Sequence, residues 1–116
     1  MQNIQRAYRV LAAAKYQAQC AQSTHLLLAQ ATYGLAPAPC MVQTAHAAAH
    51  SAAANYARCL RVVGILAKPQ KWQGQNAIGI NLLCAYARKC ARCNKVNNKL
   101  YNKHWLASMA SQGVKF

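Results

Sequence analysis

Neither aspartate nor glutamate occurs anywhere in the 116 residues, against 14 lysines and arginines. Without an acid there is nothing to orient a histidine, and no GxSxG, HExxH or P-loop pattern occurs, so nucleophilic catalysis has no support and the chain reads as not an enzyme. Glycine and proline are also scarce, at 5 and 3 residues, and the prolines are confined to Pro37, Pro39 and Pro69. The long segments between them hold few helix breakers. No uninterrupted apolar run is long enough to span a bilayer, because Thr44–Ala67 is broken by His46, His50, Asn55, Arg58 and Arg61. Residues 1–14 lack the apolar core of a secretion signal, so a cytoplasmic protein is expected.

What is present is alanine, 25 residues of it, the best helix former. Hydrophobic residues make up 55%, enough for one modest core in a single domain. Between Ile4 and Leu35 a heptad repeats. Ile4, Leu11, Ala18, His25 and Thr32 recur every seven residues, with Ala7, Ala14, Ala21, Leu28 and Leu35 between them. Gly34 and the prolines after it end that helix. A second helix is expected to Lys68-Pro69, and a third from about Gln75, with a break at Asn97-Asn98 and a short last helix closed by Gly113. The expected fold is all-α: one antiparallel four-helix bundle over 1–116, with helices at about 3–35, 40–67, 75–97 and 99–112.

On the third helix, Ile78, Leu82, Tyr86, Cys90, Cys93, Asn97 and Leu100 are read as the core stripe. Arg88, Arg92, Lys95, Lys99 and Lys103 form a second stripe, read as a solvated basic face. Three readings of the charge stay open: a true polycation for nucleic acid or anionic lipid, an engineered supercharged surface, or amides standing where acids belong. Glutamine and asparagine at Gln2, Asn3, Gln5, Gln73, Gln75 and Asn76 occupy helix starts that normally favour acids. Nucleic acid is a partner only if the charge of +14 is itself functional.

The chemistry-bearing residues are six cysteines: Cys20, Cys40, Cys59, Cys84, Cys90 and Cys93. An even count suits a disulfide framework in loop-rich secreted domains, but in a helical chain free thiols are expected. Cys90-Ala-Arg-Cys93 lies in a helix, where residues three apart share a face. Two inward thiolates there make a candidate site for Cu(I), with Zn(II) as the alternative, and buried cysteine as simple core filler is the plainer reading. His46 and His50 are four apart, a metal-ligand spacing, although surface histidines are the plainer reading. His25 falls on the first seam as a core histidine, and Met41 and Met109 read as core filler.

The stretch Asn55-Tyr-Ala-Arg-Cys59-Leu-Arg-Val-Val-Gly-Ile-Leu66-Ala-Lys68, then Trp72-Gln-Gly, then Leu82-Leu-Cys84-Ala-Tyr-Ala-Arg-Lys-Cys90-Ala-Arg-Cys93, resembles the cysteine-rich four-helix-bundle copper-storage family. His104-Trp-Leu-Ala-Ser108 is similar to its last helix. The resemblance covers residues 55–112 moderately and 15–54 weakly. It implies a non-catalytic Cu(I) store, cytosolic or periplasmic and often homo-oligomeric, with metal ligands among Cys90, Cys93, Cys59, Cys84, Cys20, Cys40 and His104. The family lines its core with more thiols. Arg88, Asn55, Asn97, Trp105, Ser108 and Gln112 stand at or near positions where it has them, which implies a reduced copper capacity. The competing expectation is a structural or interaction bundle within a larger assembly, with Tyr33, Leu35, Met41, Trp72 and Trp105 as its leftover apolar face. A cationic nucleic-acid-binding bundle comes third.

Overall fold

The computed structural model describes residues 2–31, 36–68 and 73–113, with side chains from Ile4 onward in the first stretch and from Ile78 onward in the last. The described residues hold three helices, α1 (Gln2–Ala29), α2 (Pro39–Leu66) and α3 (Gln73–Ser111), and no strand. The all-α expectation holds; the fourth helix does not exist as a separate element. Residues expected in two helices form one α3 of 39 residues.

The missing break has a local cause. Asparagine weakens helices because its side chain competes for nearby backbone groups. Asn97 instead points inward and donates to the carbonyls of Ala21 on α1 at 2.9 Å and Ala45 on α2 at 3.1 Å. Its amide is used between helices, so α3 runs through it.

The termini follow from sequence. α1 stops at Ala29, short of the expected end, with Ala31 N–H reaching back to Leu28 in a tightened last turn. The expected stop at Gly34 lies outside the described residues. Pro39 opens α2 at the position where its missing N–H costs nothing. α2 ends at Leu66, two residues before the Lys68-Pro69 step that disfavours helical backbone. Beyond α3, Gly113 takes φ +81° and its N–H reaches Ala110 O at 3.0 Å, the glycine stop expected there.

Cross-helix bonds give the topology. Gln17 meets Asn94 and Ala21 meets Asn97, so α1 and α3 run parallel. Ala52 meets Cys90 and Ala45 meets Asn97, so α2 runs against both. The result is an up-down-up bundle, elongated to 64 × 25 × 15 Å.

The heptad expected on α1 holds from Ile4 to Leu28, while its last members, Thr32 and Leu35, lie outside the described residues. Ala7, Ala14, Ala21 and Leu28 are fully buried, flanked by Ile4, Leu11, Ala18 and His25. Ala45, Ala49 and Ala52 supply the matching face of α2. Alanine seams let helices approach closely but bury little apolar area per residue. The stripe expected on α3 needs correction, because Ile78 is 64% exposed and Leu82 45% exposed. The buried seam is Ile80, Leu83, Cys90, Asn94, Asn97, His104 and Ser108. Cys90 and Asn97 of the expected stripe are buried and Tyr86, Cys93 and Leu100 half-buried, so only its N-terminal end is misplaced, where Ile80 and Leu83 take the inward positions.

Candidate thiol site in the bundle core

All six cysteines are free thiols. The structure separates them into an inner group and outliers. Cys59 on α2 and Cys90 on α3 are fully buried, in one core cluster with Ala7, Ala14, Val63, Ile80 and Leu83. Cys84 is half-buried against the same cluster. Cys93 is half-buried and packs on the neighbouring cluster of Ala18, Ala21 and Ala52.

The buried thiols find only backbone carbonyls. Cys59 S–H reaches Leu83 O at 3.9 Å and Cys90 S–H reaches Ala52 O at 3.4 Å. Burial pushes the Cys59 thiol up to about 11, and the neighbouring Cys90 and Cys84 add to the rise. Burial also raises Cys90, with Cys93 as the second cause. The electrostatic influence runs from Cys84 and Cys90 to Cys59 and from Cys93 to Cys90. Cys59 thus faces α3 at Leu83 and Cys90 faces α2 at Ala52, seven residues apart on each helix, with Cys84 beside the first cluster and Cys93 beside the second.

The other three expected ligands lie elsewhere. Cys40 is exposed on the first turn of α2. Cys20 is half-buried on α1 beside Tyr16, whose phenol it raises by accepting its hydrogen bond. His104 is buried but bonds Ser108 Oγ at 3.3 Å, and it follows Cys93 by eleven residues, about 16 Å along the helix axis. It belongs to a different layer of the bundle. Among the described residues, no three histidine or cysteine side chains are set together to hold a metal ion.

Of the positions where the copper-storage family carries thiols, Asn55, Asn97 and Ser108 are buried on the inner faces of α2 and α3. Arg88, Trp105 and Gln112 are exposed. Sequence reasoning missed Asn94 and Thr24 as buried polar groups; their only signal was their heptad phase with Asn97 and Ala21. The carbonyl oxygens of Asn94 and Asn97 are buried with no hydrogen-bond partner. The basic stripe Arg88, Arg92, Lys95, Lys99 and Lys103 is exposed along its length, the solvated face expected. Of the anticipated apolar face, Met41 is half-buried and Trp105 38% exposed, while Tyr33, Leu35 and Trp72 lie outside the described residues. No helix among the described residues is long and apolar enough to cross a membrane. No family model, no curated protein and no solved structure matches the chain.

Proposed function

We propose that this chain is a non-catalytic metal-binding bundle that sequesters Cu(I) between the inward thiols of α2 and α3. Cys59 and Cys90 are the central ligands, with Cys84 and Cys93 beside them. The observation that carries this is the full burial of Cys59 on α2 and Cys90 on α3 in one core cluster whose other members are Ala, Val, Ile and Leu. Thiolate is the ligand that selects Cu(I), and a water-free core protects the ion from oxidation. Cu(I) is satisfied by two thiolates, so it does not need the third ligand that is missing. Zn(II) in a structural site takes four, which favours copper over zinc here.

Charge favours the same reading. Two thiolates around one Cu(I) carry a net negative charge. The chain has no carboxylate to repel it. Arg58 and Lys89 each sit 5.8 Å from the half-buried Tyr86 ring, on the exposed side of the same two helices. Since the buried thiols are protonated in the free protein, each ligand gives up a proton on binding. The resemblance to copper-storage proteins supports the reading independently of the geometry.

Anaerobic titration of the reduced chain with Cu(I), against a chromogenic chelator, tests it. The expected outcome is retention of copper that Cys59→Ser with Cys90→Ser abolishes and Cys40→Ser leaves intact. Equal retention by the double variant would sink the assignment.

A second reading is favoured by one observation. Leu60 and Ile65 on α2 and Ile78 and Leu82 on α3 lie at matching levels of the two helices and are 45–64% exposed. An interaction module would use such a face for a second copy or a larger assembly. Sedimentation as a monomer at micromolar concentration counts against it.

A further inference from the structure

Three histidines meet at the seam of α1 and α2, away from the thiols. His25 is half-buried on α1, and His46 and His50 stand exposed on successive turns of α2. The His25 and His46 ring centroids are 5.1 Å apart, and those of His46 and His50 are 6.4 Å apart with the rings near parallel. With Gln22, Ala49 and Ala53 they line an open groove of about 310 Å³. We propose that this groove binds one borderline divalent transition-metal ion, of the Ni(II) or Zn(II) class, through His25, His46 and His50.

The spacing fits the chemistry. With metal–nitrogen bonds of about 2.0–2.1 Å, an imidazole centroid lies ~3.2 Å from the ion, and two such rings at a tetrahedral angle are ~5.2 Å apart. His25 and His46 already stand at that separation. His46 and His50 are wider by about an ångström, and residues four apart on a helix share one face. Closing the gap takes rotation of an exposed side chain, a motion of ps–ns timescale. The three rings are not set to hold an ion as they stand, so this rotation accompanies binding.

The ligand set also selects the ion. Imidazole suits Zn, Ni and Cu(II), whereas magnesium and calcium ask for oxygen ligands, of which the groove offers little beyond Gln22. The three neutral ligands do not offset the charge of a dication, and the chain around them carries +14. Long-range repulsion therefore opposes binding, and added salt screens it. Affinity here rises with ionic strength, opposite to a site built of carboxylates.

Calorimetric titration of the full, reduced chain with Ni(II), at low and at high salt, tests the site. One equivalent is expected, bound more tightly at high salt. His46→Ala and His50→Ala, both at exposed positions, each weaken it by at least ~10-fold, as does His25→Gln. Cys59→Ser with Cys90→Ser leaves Ni(II) binding unchanged, which separates this site from the copper proposal. Binding that survives His46→Ala, or that disappears with the two thiols, overturns it, as does affinity that falls with salt. Circular dichroism confirms that the His25→Gln chain is folded; unaltered binding by that folded variant also overturns the three-histidine site.

Discussion

Asn97 is fully buried at the level where all three helices meet, yet truncating it is expected to cost little. Asn97→Ala removes two N–H···O=C bonds, each worth about 0.5–1.5 kcal/mol net. The carbonyls of Ala21 and Ala45 keep their own helical partners, so neither is left orphaned. The lost amide leaves a gap of a few tens of Å³, worth under about 1 kcal/mol. Against these losses stands the Asn97 carbonyl oxygen, buried with no hydrogen-bond partner, whose removal returns about 1–3 kcal/mol of desolvation cost. At their midpoints these terms leave a destabilisation of about 0.5 kcal/mol, and at their extremes no more than about 3 kcal/mol. Leu83→Ala, equally buried but apolar, is expected to cost about 2–5 kcal/mol. Urea denaturation followed by circular dichroism compares the two. A loss above about 3 kcal/mol for Asn97→Ala would refute the reasoning and show that the oxygen has a partner. The amide also offers a register lock, because a single polar core residue fixes helix alignment at a cost in stability. Broadened amide resonances in a stable Asn97→Ala chain would report the loss of that lock.

Gly64 has open space where a Cβ would go, so Gly64→Ala should stabilise the chain by about 0.5–1 kcal/mol in the same urea assay. At Gly79 a new Cβ would lie 2.8 Å from a Leu66 methyl, which must swing aside, so Gly79→Ala should gain less. Thiol alkylation should modify Cys40 first and Cys59 and Cys90 only as fast as the chain opens; rapid labelling of all six, read by mass spectrometry, would contradict the buried assignment. Burial raises the Cys59 thiol to about 11, so the unfolded chain holds fewer protons than the folded one between about 9 and 11. Its contribution to stability is therefore fully present below about 9 and lost as pH climbs through 11, and Cys59→Ala should flatten the alkaline limb of a stability–pH profile. If the inner seam is the metal-binding surface, Asn97→Cys should raise Cu(I) capacity in the anaerobic titration, whereas Arg88→Cys, on the exposed face, should not.

How much of this was legible in the sequence depended on what filled each seam. On α1 the heptad of Ala7, Ala14, Ala21 and Leu28 carried both the helix and its buried face, because every member is apolar. The limits of α2 were legible from Pro39 and Pro69, whose backbone effects need no tertiary information. On α3 the inward line passes through Asn94, Asn97, His104 and Ser108. Periodicity placed Cys90 and Asn97 on that line but missed Asn94, and at the start of the helix it settled on the outward Ile78 and Leu82 instead of Ile80 and Leu83. The helix break expected at Asn97-Asn98 fails because local propensity yields there to bonds that only the neighbouring helices provide. Among the thiols, spacing within one helix singled out Cys90 and Cys93. That Cys90 shares a core cluster with Cys59 depends on how α2 and α3 are aligned, which no single helix encodes.

The absent acids and the polar seam bear on one question, what holds so thin a bundle together. No side-chain carboxylate exists, so no cation on the surface can form an ion pair with another side chain. The first turns of all three helices carry no acid and their last turns no base, so the helix dipoles receive no help either. Along α3, Arg88, Arg92, Lys95, Lys99 and Lys103 repeat at three- and four-residue spacing, where like charges repel by about 0.2–0.5 kcal/mol per pair. Surface electrostatics therefore oppose folding. Among the described residues the core offers few large apolar groups in return, since Leu28 and Leu83 are the largest fully buried side chains there. Bonds such as those of Asn97 fix alignment more than they add stability. A metal bound between Cys59 and Cys90 would tie α2 to α3, and one at His25, His46 and His50 would tie α1 to α2. Each would stabilise only the folded chain, and by mass action the gain grows with metal concentration. In a bundle so weakly secured by charge and by apolar volume, metal bound at either proposed site would be coupled to folding.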